Sequence, residues 1–440
     1  MANPLLRIYS RIPVDWNASI YYRILLPART MFKEGLCDLS IDRGTVELSQ
    51  DDRNRLSTHS SINWFYQPTH PSIAPSCDEV RKWPAYWLSE DLWDVAPHFV
   101  MDTDDDIFNV TPDNPAYANL GVSLDGSPLE KGGMVIADNE DGSKTVAYKD
   151  GERGFDISAN NARLSAWREA LRRCDLVTCS TKAAQNYVLR EAPDTRTLIL
   201  PNCIDFDDYP QGIELERRER VRILWQGAPN HTPELWAIKD ALKRIHDKYP
   251  QTDFVFFGAL YDWMRDFDPD RTKLFKWCDY PEYKLRLSMM NHDINLAPLA
   301  PTTFNSTRSA IRFYEASAIS KPACTLAQRV AAFPEDITEG ETGYLFDTPA
   351  EFEQKLSMLV EDRTARELAA SNAKQWVREN RDPVKWAHVA AEAFEKLRMG
   401  RRSLIGEPPK PPKQIEVPDG PIPAEQPDLR EREAVHRGTG

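Results

Sequence analysis

No apolar run in this 440-residue chain approaches the roughly 20 residues that a bilayer-spanning helix needs, and the opening Met1-Ala2-Asn3-Pro4-Leu5-Leu6-Arg7 has no basic segment leading into an apolar one. The expectation is a cytoplasmic protein with no membrane span. Cysteine is sparse as well. The seven present (Cys37, Cys77, Cys174, Cys179, Cys203, Cys278, Cys324) are odd in number and scattered, with no Cys-x-x-Cys pair and no histidines at zinc spacing. That pattern argues against a disulfide framework and a zinc ribbon, and predicts reduced, mostly buried thiols. An excess of positive charge is also missing. A formal net charge of −13 opposes unaided docking onto nucleic-acid phosphates, whose affinity comes from lysine and arginine displacing counterions, although a local basic patch remains compatible with it.

What is present is a globular balance, with 41% hydrophobic and 28% charged residues. A single core stops growing near ~250–300 residues, so the length implies two domains plus a tail. The first half opens strand–loop–helix: an apolar strand over Leu5 to Ile12, a polar loop, then helical spacing from Tyr21 to Phe32 closed by Gly35. Further strands are predicted at Ile62 to Tyr66 and His98 to Met101. The latter runs into the acidic stretch Asp102-Thr103-Asp104-Asp105-Asp106. Between 121 and 154, Gly/Asp turns separate short segments and predict one or two inserted β-hairpins. Helical spacing from Asn160 to Arg173, a strand over Asp175 to Cys179, a helix start at Ser180-Thr181 and a strand over Thr197 to Leu200 complete the half.

After a charged linker the pattern restarts. Strands are predicted at Val221 to Trp225, Phe254 to Phe257 and Ile294 to Leu296, with a helix over Glu234 to Tyr249. Alternating strands and helices, interrupted and begun again, predict an α/β chain of two doubly wound parallel sheets. The final helices are broken at Asp382-Pro383, where proline suits the first position of a new helix. Beyond Ser403 the chain is rich in proline and charge, starting with Pro408-Pro409-Lys410-Pro411-Pro412. It is expected to be a disordered tail, either an inert linker or a polyproline segment for a partner.

Ligands of open parallel sheets bind beyond the carboxyl ends of the strands, so the loops there carry the chemistry. The loop Gly227-Ala228-Pro229-Asn230-His231-Thr232 combines a close-approach glycine with a helix start, a natural diphosphate site, though any tight strand-to-helix turn asks for the same glycine. The most informative stretch is 304–315, Phe-Asn-Ser-Thr-Arg-Ser-Ala-Ile-Arg-Phe-Tyr-Glu. Read as one helix, its spacings of four and three put Arg308, Arg312 and Glu315 on one face: guanidiniums for a diphosphate and a carboxylate for ribose hydroxyls. The ordinary alternative is an Arg–Glu surface pair, which the apolar run 316–322 disfavours because it buries the helix.

This stretch, with Glu315-Ala316-Ser317-Ala318 and Lys321-Pro322, resembles the donor-site signature of retaining GT-B glycosyltransferases of the GT4-like group. The likeness extends to Asp175-Leu176-Val177-Thr178-Cys179-Ser180-Thr181, Leu200-Pro201-Asn202-Cys203-Ile204-Asp205, Glu341-Thr342-Gly343-Tyr344-Leu345-Phe346 and the helix after Asp382-Pro383, so it covers most of residues 1–400. It implies two Rossmann-like domains facing across a cleft: an acceptor domain over 1–212 carrying the insert, a donor domain over 213–381, a helix over 382–400 crossing back, and the tail over 401–440. The lobes would close around the linker near 208–220. The donor would be a UDP- or GDP-sugar, with no cofactor and no metal. Carried over position by position, Glu315 binds ribose; Arg308, Ser309 and Arg312 bind the diphosphate, with Asn305 in the same donor-binding set; Gly227 and His231 form the opposing wall. The departure is Thr307, where many members carry a second glutamate. In its place the chain resembles a branch with an Asn-x-x-Lys-Ser pattern, Arg308 replacing the lysine.

The acidic run admits three readings: a metal site of Asp-x-Asp type, a solvated strand-end loop, or an active-site wall in which Asp104 or Asp105 orients the acceptor hydroxyl. Arg308 would stabilise the leaving diphosphate. The insert and acidic strand end are similar to bacteriophage-encoded glycosyltransferase-like proteins. That widens the acceptor from a polysaccharide or glycolipid to a virion protein or a hydroxymethylated DNA base. Two alternatives stand beside the transferase: a nucleotide-sugar 2-epimerase of the same fold, and a catalytically degenerate sugar-nucleotide-binding module.

Overall fold

The computed structural model describes residues 5–10, 18–43, 61–66, 98–111, 120–121, 134–138, 144–148, 154–212, 215, 218–228 and 231–399. The tail expected from 401 onward and the tips of the insert lie outside these residues.

The first lobe contains β1 (Leu5–Ser10), β2 (Asp38–Arg43), β3 (Ser61–Tyr66) and β4 (Phe99–Thr103). The insert follows as β5 (Met134–Asp138), β6 (Lys144–Tyr148) and β7 (Gly154–Asp156), and β8 (Leu176–Cys179) and β9 (Thr197–Ile199) complete the lobe. Its main sheet runs β2-β1-β3-β4-β8-β9, every pairing parallel, while the insert forms a separate antiparallel three-stranded sheet. The second lobe contains β10 (Val221–Gly227), β11 (Thr252–Gly258), β12 (Thr272–Lys276), β13 (Ile294–Ala297), β14 (Cys324–Gln328) and β15 (Tyr344–Phe346), in the order β12-β11-β10-β13-β14-β15. That is the 3-2-1-4-5-6 winding of a dinucleotide-binding sheet, and its direction reverses between β10 and β13. Strands such as β10 and β13 are buried along nearly their whole length because helices cover both faces.

β2, β12, β14 and β15 are additional to the strands expected from the sequence. β2, β12 and β15 are edges, and β12 is largely exposed along Thr-Lys-Leu-Phe-Lys, whereas β14 is an inner strand buried over 324–327 whose short, partly polar run Cys-Thr-Leu-Ala-Gln gave no strand signal.

The opening helix begins at Ala18–Ile20, widens into a π-helical turn over Tyr21–Leu25, and continues as Leu26–Lys33. It ends at Gly35, whose φ of 69° is the left-handed conformation glycine adopts without penalty. Thr181 caps the helix Lys182–Glu191 by accepting from the Ala184 amide. Asp382 caps Pro383–Arg398 in the same way through Val384. That last helix lies against Leu26–Lys33 of the first lobe, with the Phe394 ring 5.3 Å from Trp64, edge to face. The lobes are thus joined by the linker and by a returning helix. No helix among the described residues is long and apolar enough to cross a membrane.

Candidate functional site

The carboxyl ends of β10, β11 and β13 bring Gly227, Gly258 and the loop after Ala297 together. A Cβ on Gly258 would lie 2.3 Å from the Gly227 carbonyl oxygen, and its φ is 118°, so only glycine fits. A Cβ on Gly227 would meet the Trp225 ring at 2.8 Å and the Arg312 guanidinium at 3.2 Å. Gly227 is therefore kept small first by the Trp225 ring and then by the Arg312 guanidinium.

The segment 303–318 is not one helix. A short turn over Thr303–Ser306 gives way to an irregular passage, and a second helix runs over Ile311–Ala318. The expectation of Arg308, Arg312 and Glu315 on a single helical face is corrected: only the last two share a helix. The break exists because the peptide groups there have outside partners. Thr181 of the first lobe donates to the Thr307 carbonyl at 2.8 Å, the Asp106 amide donates to the Thr307 hydroxyl at 3.2 Å, and the Ala332 amide donates to the Arg308 carbonyl. Thr307 is 2% exposed and is held by the first lobe.

Arg308 still returns to the same place as Arg312. Its guanidinium stacks over the Phe304 ring at 5.0 Å, and its Nε lies 3.7 Å from Asp105, too far for a hydrogen bond. Arg312 makes no ion pair among the described residues. Its one contact of note is a long 3.5 Å approach to the Pro298 carbonyl. Burial lowers the Arg312 pKa and the Arg308 charge adds to that, while Glu234 opposes. His231, at the N-terminus of the helix Thr232–Lys248, is pushed down to about 3 by burial and by the two arginines, so it is neutral at neutral pH. Asn305, 6% exposed, spends its amide on Glu234 and the Ala300 carbonyl, which braces the wall behind the arginines.

At the other end of the segment Glu315 is fully partnered. Tyr22, from the first lobe, donates to Oε1 at 2.8 Å, and Tyr283 donates to Oε2 at 2.8 Å. Tyr209 completes the chain through the Tyr22 hydroxyl. Tyr283 also lies 2.8 Å from the Gln226 carboxamide, and both are satisfied when the amide nitrogen faces the phenol oxygen. Burial raises the Glu315 pKa, and the two hydroxyls together with Arg312 and Lys284 hold it back.

From the first lobe, Asp104 reaches the same region with the Tyr66 hydroxyl 3.4 Å away. Burial and the neighbouring Asp105 charge push its carboxyl up to about 8, against the pull of Arg23 and Arg308. Asp102 is buried in a two-pronged pair with Arg23 at 2.8 and 3.0 Å. Ser309 accepts from Asn202 across the lobes at 2.7 Å. Among the described residues no cluster of three or more His, Cys, Asp or Glu side chains is arranged to hold a metal ion. A shallow groove of about 990 Å³ along Ala350, Glu353 and Ser357, reaching Lys248, is lined by helix surfaces, not by these strand ends, and contains none of these groups.

The tyrosines, Arg23, Gln226 and Glu234 were not singled out from sequence. Tyr22 and Arg23 sit inside a helix whose spacing announced only a buried face. Asn202 lay within a recognised segment but carried no role.

No protein-family profile and no curated protein matches this sequence. Solved structures do. Sucrose-phosphate synthase from Thermosynechococcus elongatus superposes with a TM-score of 0.56 at 9% identity, covering 90% of this chain and 100% of that one. A glycosyltransferase from Rickettsia africae gives 0.53 at 10% identity, covering 90% and 99%. Anabaena HepE in complex with UDP gives 0.52 at 13% identity, covering 89% and 100%. The fold is GT-B. At these identities the likeness is one of architecture: two Rossmann-like lobes facing each other at their strand carboxyl ends.

Proposed function

We propose that this chain is a glycosyltransferase that binds a UDP- or GDP-sugar in its second lobe and passes the sugar, with retention of configuration, to an acceptor hydroxyl presented by the first. The observation that carries this reading is Arg312, a guanidinium with no carboxylate partner among the described residues, set beside Arg308 where the sheet reverses direction. Such a cation calls for a diphosphate, and the start of the helix at Ile311 adds free N–H groups. The Glu315 carboxylate, now accepting from two tyrosine hydroxyls, is built to accept from the two hydroxyls of a ribose.

In the reaction the acceptor oxygen bonds to the anomeric carbon as the bond from that carbon to the diphosphate breaks on the same face. The acceptor proton passes to the departing phosphate oxygen. Arg308 and Arg312 stabilise the charge that develops there, which is the main catalytic term. Asp104 and Asp105 orient the acceptor hydroxyl. The acceptor class we favour is a hydroxylated glycan or glycolipid, with a protein or a hydroxymethylated DNA base tested alongside.

Thr307, buried where a second carboxylate would meet the donor sugar, supports a second reading: a module that binds sugar nucleotides without turning them over. Incubation with a panel of nucleotide sugars separates the cases. Released or transferred sugar supports a transferase, isomerised donor supports an epimerase, and bound, unchanged donor supports the module. Full transfer activity in both Arg312→Ala and Glu315→Ala would remove the proposed donor site.

A further inference from the structure

Behind the donor segment a chain of hydrogen bonds runs from the first lobe into the second with a fixed polarity. It starts at Arg23, whose side chain is fully buried. Nε and Nη2 pair with Asp102 at 3.0 and 2.8 Å, while Nη1 donates to the Leu200 carbonyl at 2.5 Å and to the Asn202 Oδ1 at 3.0 Å. A guanidinium can only donate, so the face of the Asn202 carboxamide turned toward it must be its oxygen. The amide nitrogen is thereby turned the other way, and it donates to the Ser309 Oγ at 2.7 Å. Ser309 is thus made an acceptor on that side. Its own proton must point elsewhere.

We infer that Arg23 and Asn202 are positioning residues that aim the Ser309 hydroxyl proton at the donor's diphosphate. Ser309 lies between Arg308 and Arg312 in sequence, one residue before the Ala310 N-cap of the helix Ile311–Ala318, so the aimed hydroxyl joins the region left positive by the two arginines. The relay crosses between lobes: Asn202 belongs to the first and Ser309 to the second. The hydroxyl is therefore oriented only when the lobes are together, which ties diphosphate recognition to closure. Asp102 holds the other side of Arg23 and is itself fixed by Thr178 at 2.5 Å. The inference rests on the donor-site reading above, and the experiment separates the two.

Asn202→Asp keeps the shape but presents an acceptor to Ser309, so the hydroxyl must donate backward. Affinities for UDP and GDP, each compared with its nucleoside, are measured by calorimetry on the full chain for wild type, Asn202→Asp, Ser309→Ala and the double variant. Ser309→Ala is expected to weaken diphosphate binding about tenfold, the scale of a hydroxyl donating to a charged group. Asn202→Asp should lose a similar factor, and the double variant no more than Ser309→Ala alone, because both act through one proton. Nucleoside affinity should stay within about twofold throughout. The relay is overturned if Asn202→Asp binds as wild type, or if it loses as much again in the Ser309→Ala background, which would mark plain charge repulsion. Should the Asp variant not fold, Asn202→Ala replaces it in the same cycle, with a smaller loss that must again vanish in the Ser309→Ala background. If wild type binds neither diphosphate, the donor site itself falls.

Discussion

The two ends of the segment between Asn305 and Glu315 are finished to different degrees. At Glu315 each carboxylate oxygen has a donor: two phenols donate to it, and a third stands behind them. Of the two guanidiniums at Arg308 and Arg312, the first has one carboxylate, Asp105, at 3.7 Å, and the second has no ion pair among the described residues. A fully partnered carboxylate needs nothing further from a ligand and can wait. An unpartnered, partly buried cation is held there at a cost in stability, and such a cost persists where a ligand recovers it. On the proposed function, the contrast separates the groups that would sense a diphosphate from the group that would be released to a ribose.

The comparison breaks most sharply at Arg312. Arg312→Met is expected to lower kcat by about 10²–10³-fold, the usual effect of removing a donor to developing charge, while leaving the melting temperature unchanged or higher. A clear drop in melting temperature would show that Arg312 serves folding instead. Gly227→Ala tests the same end indirectly. The new Cβ falls against the Trp225 ring and the Arg312 guanidinium, and displacement of the latter is expected to weaken UDP or GDP binding by about tenfold, a misplacement effect readable by calorimetry.

Tyr22→Phe sharpens the opposite end. It removes the hydrogen bond to Glu315 that joins the lobes and the one shared with Tyr209, each worth about 1 kcal/mol net. Nucleotide affinity should rise by a few-fold, since a ribose then competes with one phenol fewer, and an unchanged or weaker affinity would show that Tyr22 holds the ligand directly.

The smallest effect concerns Asp104. Its carboxyl titrates near the usual 3.8 when unfolded and at about 8 in the folded chain. Between those values the native state holds a proton that the unfolded chain has released, so Asp104 costs stability as pH rises from about 4 to 8. Asp104→Asn should flatten the fall in melting temperature across that window, and a parallel, unchanged slope would place the proton elsewhere.

Both sheets were legible in the sequence because buried parallel strands are short apolar runs ending at turn residues, and both lobes have several. The edge strands Asp38–Arg43 and Thr272–Lys276 were not, since Asp-Leu-Ser-Ile-Asp-Arg and Thr-Lys-Leu-Phe-Lys mix polar and apolar residues, as edges exposed to water do, and neither holds a continuous apolar run. The segment 304–315 stood out in the sequence, but it is not the single helix that its spacing implies. Spacing reports which residues would share a helical face; it carries no trace of Thr181 or the Asp106 amide, more than a hundred residues earlier, taking the Thr307 groups out of the helix. The tyrosines around Glu315 escaped for a related reason. In sequence Tyr22 and Tyr283 are aromatic positions on amphipathic helices, indistinguishable from core until the second lobe is placed against the first.

The five-residue π-helical turn at Tyr21–Leu25 has one further consequence. Consecutive side chains in it serve different masters: Tyr22 reaches across to Glu315, while Arg23 turns inward to Asp102. A π turn holds about one residue more than an α turn over the same rotation, so deleting one residue here would restore ordinary winding and leave β1 and Leu26–Lys33 in phase. What would go is the extra direction that lets two adjacent side chains of one helix answer to opposite lobes.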